Sequence, residues 1–358
     1  MFKFDRPFQP DADALLANLR RQGTPRRVHF LELFLDGEVQ QEIIRRFDLG
    51  RGIRDDDPYR NEKRHIELQR FLGYEYVYAG HGVPMPTTRL IAADTAALPR
   101  AGGRSFVNET KGLITNWEEF EKYPWPTIAQ ADTRSLDWYE KNLPDDMCVI
   151  GATNAHFAEW LCWLMGYETL CYALYDQPEL VQAIYDKVLE LSTATMRALK
   201  GYTRVRMVWG SDDMGFKTGT LLSPPDMRRY VLAGHQKIAA MAHASGWLYL
   251  LHACGKLEQI LGDLLDDVKI DAKHSFEDTI EHVTDAKKRY GGRCSLLGGM
   301  DVDFLCRADE QAIRLRVRQT LEVCLPGGGY CLGSGNSVTN YIPVDNYLAM
   351  MDEGRKYA

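Results

Sequence analysis

The sequence predicts an α/β protein built as a (β/α)8 TIM barrel. Two observations point there. Eight apolar runs of strand length recur along the 358 residues, and helical stretches separate most of them. Strands alternating with helices imply a parallel sheet with right-handed crossovers, and eight such units in this length close into a barrel. No linker rich in Gly, Ser and Pro divides the chain and no internal repeat is visible, so residues 1–358 read as one domain.

The elements follow in order. Residues 1–25 read as an N-terminal arm with one helix, Ala12 to Gln22, stopped by Gly23. Val28 to Phe34 is the first strand, with His29, Leu31 and Leu33 on one face and Phe30, Glu32 and Phe34 on the other. Leu35, Asp36 and Gly37 turn the chain into a helix, Glu38 to Arg46. Residues 50–65 are charged and read as an exposed loop running into a helix. Glu75 to Ala79 is the second strand. Residues 80–116 are turn-rich, with β-like runs at Thr88 to Ala92 and Phe106 to Thr115, and read as a hairpin insertion. Trp117 to Tyr123 and Ser135 to Lys141 are expected helices.

From Met147 the rhythm is regular. The expected strands are Cys148 to Ala152, Val205 to Trp209, Leu248 to Cys254, Ile270 to His274, Ser295 to Gly299 and Gly328 to Leu332. The expected helical stretches are Ala155 to Lys200, Pro224 to Ser245, Leu257 to Leu265, Thr279 to Tyr290, Glu310 to Cys324 and Val344 to Tyr357.

Composition narrows the class. Hydrophobic residues make up 45%, as in ordinary globular proteins, and no run of about eighteen apolar residues suggests a membrane span. A net charge of −7 argues against nucleic acid as a partner. Met1 to Pro7 carries charges and a proline where a signal peptide needs an apolar run, and the eight cysteines are scattered. Reduced thiols and a cytoplasmic location are therefore expected.

A barrel of this kind places its active site at the C-terminal ends of the strands. Polar residues are concentrated there: Glu32, Thr153 with Asn154, Asp212 with Asp213, His252 with Cys254, His274, Asp301, and Cys331 with Ser334. In a strand, His252 and Cys254 face one way, about 7 Å apart along the backbone. An imidazole and two thiolates suit zinc, so His252, Cys254 and Cys331 are the candidate metal ligands, 76 residues separating the two cysteines. Three protein ligands leave a fourth position for water, substrate or a carboxylate. Asp212 and Asp213, ending the neighbouring strand, are the likeliest carboxylates for that place, and a helix cap or loop salt bridge serves equally for them. His274 reads as a substrate contact or an orienting partner. Ser334 and Asn336, in a glycine-containing loop after the last strand, read either as a phosphate or carboxylate cradle or as a plain loop. The other six cysteines read as packing residues.

His252-Ala-Cys254-Gly255, Gly299-Met-Asp301 and the stretch from Gly327 to Ser337 with Ile342-Pro343 resemble the uroporphyrinogen decarboxylase superfamily. So does Asp212-Asp213 followed by Leu222-Ser-Pro224. The resemblance covers roughly residues 145–358 and implies the same (β/α)8 barrel. The arginine-rich R-Q-A-G-R-Y signature of the true decarboxylases is missing, which argues against an octa-anionic porphyrinogen substrate. The H-x-C…C spacing is similar to the corrinoid-dependent methyltransferase branch, whose members include methylcobalamin:coenzyme M enzymes. That branch implies Zn2+ on His252, Cys254 and Cys331, and a corrinoid (methylcobalamin) as methyl carrier. It also implies a small-molecule thiol or tetrahydrofolate as the other methyl partner, with Asp212, Asp213 or His274 as catalytic groups that take the thiol proton or orient the acceptor. No D-x-H-x-x-G corrinoid motif occurs, so the cobalamin is expected free or on a separate corrinoid protein. The alternatives are a metal-free, decarboxylase-like lyase and a non-catalytic corrinoid- or metal-binding module.

Overall fold

The computed structural model describes residues 4–6, 8–80, 83 and 85–357. Met1, Phe2, Lys3 and Pro7 of the N-terminal stretch, and His81, Gly82 and Pro84 of the insertion, lie outside the described residues.

Eight parallel strands form one curled sheet, and the fold is a (β/α)8 barrel. The strands are β1 (His29–Phe30), β2 (Tyr76–Gly80), β3 (Cys148–Ala152), β4 (Val205–Ser211), β5 (Leu248–His252), β6 (Ala272–His274), β7 (Ser295–Leu297) and β8 (Tyr330–Leu332). Their order around the sheet is β1, β8, β7, β6, β5, β4, β3, β2. Every adjacent pair in that order is parallel. Alternation sets the two faces. Met207, Leu250 and Ala272 belong to an apolar group that fills the barrel, while Val208, Tyr249 and Leu251 pack outward with the helices.

The seam between β1 and β2 is closed differently. Among the described residues no backbone ladder joins these strands. Buried backbone groups still need partners, and side chains supply them. Glu32 N donates to Tyr76 Oη at 2.9 Å, and the Tyr76 and Tyr78 hydroxyls each donate to Glu32 O at 3.3 Å. Lower on the seam, Arg27 Nη2 lies 2.8 Å and His29 Nδ1 2.9 Å from Glu75. This explains why β1 spans only two residues where the apolar pattern suggests seven.

The helices match the expected positions with shifted ends. Ala12–Leu19 covers the barrel floor: Asn18 Nδ2 donates to Tyr330 O at 2.8 Å, and Leu19 O accepts from Ser295 Oγ at 2.7 Å. The stretch expected as Ala155 to Lys200 is three helices, Phe157–Met165, Tyr167–Asp176 and Pro178–Leu199. The first break falls at Gly166 and the second at Gln177, where Pro178 starts a new helix. The insertion is an antiparallel hairpin, Arg89–Ala92 with Arg104–Val107. A helix at Val302–Arg307 and a small hairpin, Gly215–Phe216 with Gly219–Thr220, were not expected from the sequence. No described helix is long and apolar enough to cross a membrane.

The seam yields a test. Tyr76→Phe leaves Glu32 N buried without its acceptor, so urea unfolding should show a loss of about 1–3 kcal/mol. An unchanged midpoint would mean that the hydroxyl does not bridge the strands.

Candidate metal centre

Strand register brings the polar ends together. Ser211 of β4 pairs with His252 of β5, and His252 pairs with His274 of β6. The residues just beyond these positions, Asp213, Cys254 and Ser275, therefore emerge side by side at the barrel mouth. One ligand atom from each of Asp213, His252 and Cys254 lies within 4.8 Å of the others. Cys254 Sγ is 3.2 Å from His252 Nε2, which is 3.8 Å from Asp213 Oδ1. Asn336 Nδ2 and Ser275 Oγ donate to the Cys254 sulfur at 3.4 and 3.6 Å. Gly255 holds this corner: its φ is +95°, and a Cβ there would lie 2.2 Å from the Gly215 carbonyl carbon. Only glycine lets the Gly215–Thr220 hairpin close against the Cys254 turn.

The donor set fits a zinc-type ion. Tetrahedral bonds of about 2.0–2.3 Å put adjacent ligand atoms roughly 3.3–3.7 Å apart, close to the separations seen here. Burial pushes the Cys254 thiol well up, and the Asp213 carboxylate beside it adds to that. A cation among the three donors would reverse this balance.

Cys331 does not join the group, and the sequence-based ligand set is corrected here. It is fully buried in β8, level with His29 of β1, and its sulfur accepts from Asn18 Nδ2 of the floor helix at 3.6 Å. The residue that reaches Cys254 from beyond β8 is Asn336, five positions later. Asp212 is corrected as a catalytic candidate. It is fully buried and accepts from Ala158 N and Glu159 N at 2.8 and 2.9 Å, where helix Phe157–Met165 begins; His235 Nε2 is 2.9 Å away. It ties β4 to two helices. Asp213, its exposed neighbour, faces the metal group.

His274 is corrected as a group in contact with substrate. It is fully buried, with Nδ1 2.7 Å from His252 Nδ1 and Nε2 3.3 Å from Ser334 O. Burial, and then the neighbouring His252, hold its pKa well below the usual histidine value. Ser334 is buried too, its N donating to Glu32 Oε1 at 2.7 Å and its Oγ lying 2.5 Å from Oε2. It is thus committed to Glu32 and presents no free cradle for an anion, whereas Asn336 lines a cleft of about 870 Å³ with Lys217, Phe276, Phe304 and Tyr341.

Two features escaped the sequence reading. Ser275 follows His274 and was not expected at the metal group. His156 and Glu159, three apart, pair at 2.8 Å beside the Asp212–Asp213 strand end. The i, i+3 spacing of an acid and a histidine after β3 was the available signal. Burial raises Glu159 to about 7 despite that bond.

Residues 113–357 match the family described as Uroporphyrinogen decarboxylase (URO-D), well over half of the chain. The chain belongs to the URO-D family. This URO-D family member is 24% identical over 178 residues to "Methylcobamide:CoM methyltransferase MtaA" from Methanosarcina barkeri, 49% of each chain. The match therefore spans about half the length of that curated relative. A solved "methyltransferase from Methanosarcina mazei" superposes with a TM-score of 0.69 at 17% identity, covering 96% of this chain and 98% of that one. That likeness shows the shared fold.

Glu32 gives a pH test. Burial raises its carboxyl from 4.5 to about 8, against the opposing hydrogen bonds from Ser334. Above the unfolded value, unfolding then releases a proton, so this group costs stability progressively from about pH 5 to pH 8. Glu32→Gln should gain stability relative to the parent across that window, by a few kcal/mol at most. Parallel stability–pH curves for the two proteins would contradict the buried neutral carboxyl.

Proposed function

We propose that this URO-D family member is a zinc-dependent methyltransferase moving a methyl group between a corrinoid and a thiol or tetrahydrofolate acceptor. The corrinoid is taken free or on a partner protein. The observation that carries the reading is the convergence of Asp213, His252 and Cys254 at the barrel mouth, beside an open cleft. The methyltransferase names of the two relatives support it.

Asp213, His252 and Cys254 would hold the ion, with the Cys254 sulfur kept in place by Asn336 and Ser275. When bound, the ion supplies Lewis acidity that lowers the pKa of an acceptor thiol. Asp213, more than half exposed, is placed to receive the thiol proton as the acceptor enters. The cleft lined by Lys217, Phe276, Phe304 and Tyr341 would position the donor against the acceptor sulfur. A corrinoid held there would supply the methyl group, and the residues of this chain would orient the acceptor sulfur toward it.

The purified protein should carry about one equivalent of zinc by elemental analysis and should demethylate methylcobalamin in the presence of a thiol or folate acceptor. Cys254→Ala and Asp213→Ala should lower both by at least about tenfold. Cys331→Ala should retain both, at some cost in stability. A metal-free protein that decarboxylates uroporphyrinogen would replace this reading with the lyase alternative.

A further inference from the structure

Lys273 lies between Ala272 and His274 of β6, so alternation turns it away from the barrel interior. Its register partner, Leu251, packs outward too. Helices cover that face of a barrel strand, and its side chains are apolar as a rule. Here the position carries an ammonium in a residue only 7% exposed. Buried charges normally sit against an opposite charge. Among the described residues Lys273 forms no ion pair. Its Nζ donates to Ser275 O at 2.7 Å and lies 4.2 Å from the centre of the Phe276 ring. One of three N–H groups is thus committed to an oxygen, and the charge has no counter-charge in contact.

These same residues line a cavity of about 60 Å³. Lys273, Ser275 and Phe276 meet Leu257, Leu261 and Ile280 across it. Space of that size holds roughly four to six waters, or one small anion of similar bulk. The nearby acids are engaged elsewhere. Glu281 meets Arg289 Nη1 at 2.5 Å and accepts from Tyr290 Oη at 2.8 Å, while Glu258 takes Arg289 Nη2 at 2.8 Å. Burial pulls the Lys273 pKa down, and Glu281 opposes this without touching Nζ. Around the whole cavity Lys256, Lys273 and Arg289 face Glu258, Glu277 and Glu281. That balance leaves no surplus of positive charge to hold a dianion, so the ligand that suits Lys273 carries a single charge.

We propose that this cavity binds a small monovalent carboxylate through the Lys273 ammonium, at a site separate from the metal group. Ser275 stands between the two: its carbonyl faces Lys273, and its Oγ donates to Cys254 Sγ at 3.6 Å. The site depends neither on a metal nor on the function proposed above.

Thermal unfolding of the full-length protein, with acetate replacing chloride at constant pH and ionic strength, tests this. A ligand that binds only the folded state raises the midpoint by mass action, and the rise follows its binding constant. The parent should show that dependence with acetate and with formate, and inorganic phosphate should bind more weakly. Lys273→Met keeps the bulk of the stem without the charge and should weaken acetate at least about tenfold. Ile280→Trp fills the cavity with Lys273 intact and should do the same, which keeps the test decisive if the first variant fails to fold. General salt stabilisation, or acetate held at the metal group, would act equally on the parent and both variants. Equal shifts in all three proteins would overturn the proposal. So would a parent that responds to acetate no more than to chloride, or one that binds phosphate more tightly than acetate.

Discussion

The site depends on the register of three neighbouring parallel strands. Ser211, His252 and His274 sit side by side across β4, β5 and β6. That alignment sends Asp213, Cys254 and Ser275 to one corner of the barrel mouth. A one-residue slip of β5 would turn His252 and Cys254 to the outer face, among the helices, where Leu251 and Ala253 now pack. The hydrogen bonds around the cysteine sulfur and the two histidine rings act on top of this register, refining positions that the sheet has already chosen.

A second constraint is the incomplete closure of the barrel. The β1–β2 seam lacks a backbone ladder among the described residues, and tyrosine hydroxyls stand in for it. The same Glu32 whose backbone they hold reaches across to the loop after β8. Closure of the wall and order at the mouth thus share a residue. A buried carboxyl is an expensive way to hold a loop, and the burial that raises its pKa is the cost of that position.

The sequence made the barrel legible because eight apolar runs, seven of them ending in polar residues, are a direct imprint of buried parallel strands. His252 and Cys254 could be paired from alternation alone. Cys331 could not be placed, because alternation gives a side chain's face but not its height along the barrel. β8 is only three residues long, and Cys331, its middle residue, turns its sulfur to Asn18 of the floor helix. Asn336 lay in a loop whose path the sequence does not encode in any period, so its contact with Cys254 was invisible. Asp212 and Asp213 looked interchangeable in the sequence; one faces two backbone N–H groups and a histidine, the other solvent and the metal group. The helix breaks at Gly166 and Pro178 were signalled, and the apolar density of residues 155–200 masked them.

The central claim is that one sulfur, one imidazole nitrogen and one carboxylate share an ion at the barrel mouth, with Cys331 excluded. Zinc K-edge X-ray absorption of the zinc-loaded protein tests this most directly. The account predicts a single sulfur neighbour at about 2.3 Å with the remaining neighbours nitrogen or oxygen. Two sulfur neighbours, or none, would contradict it.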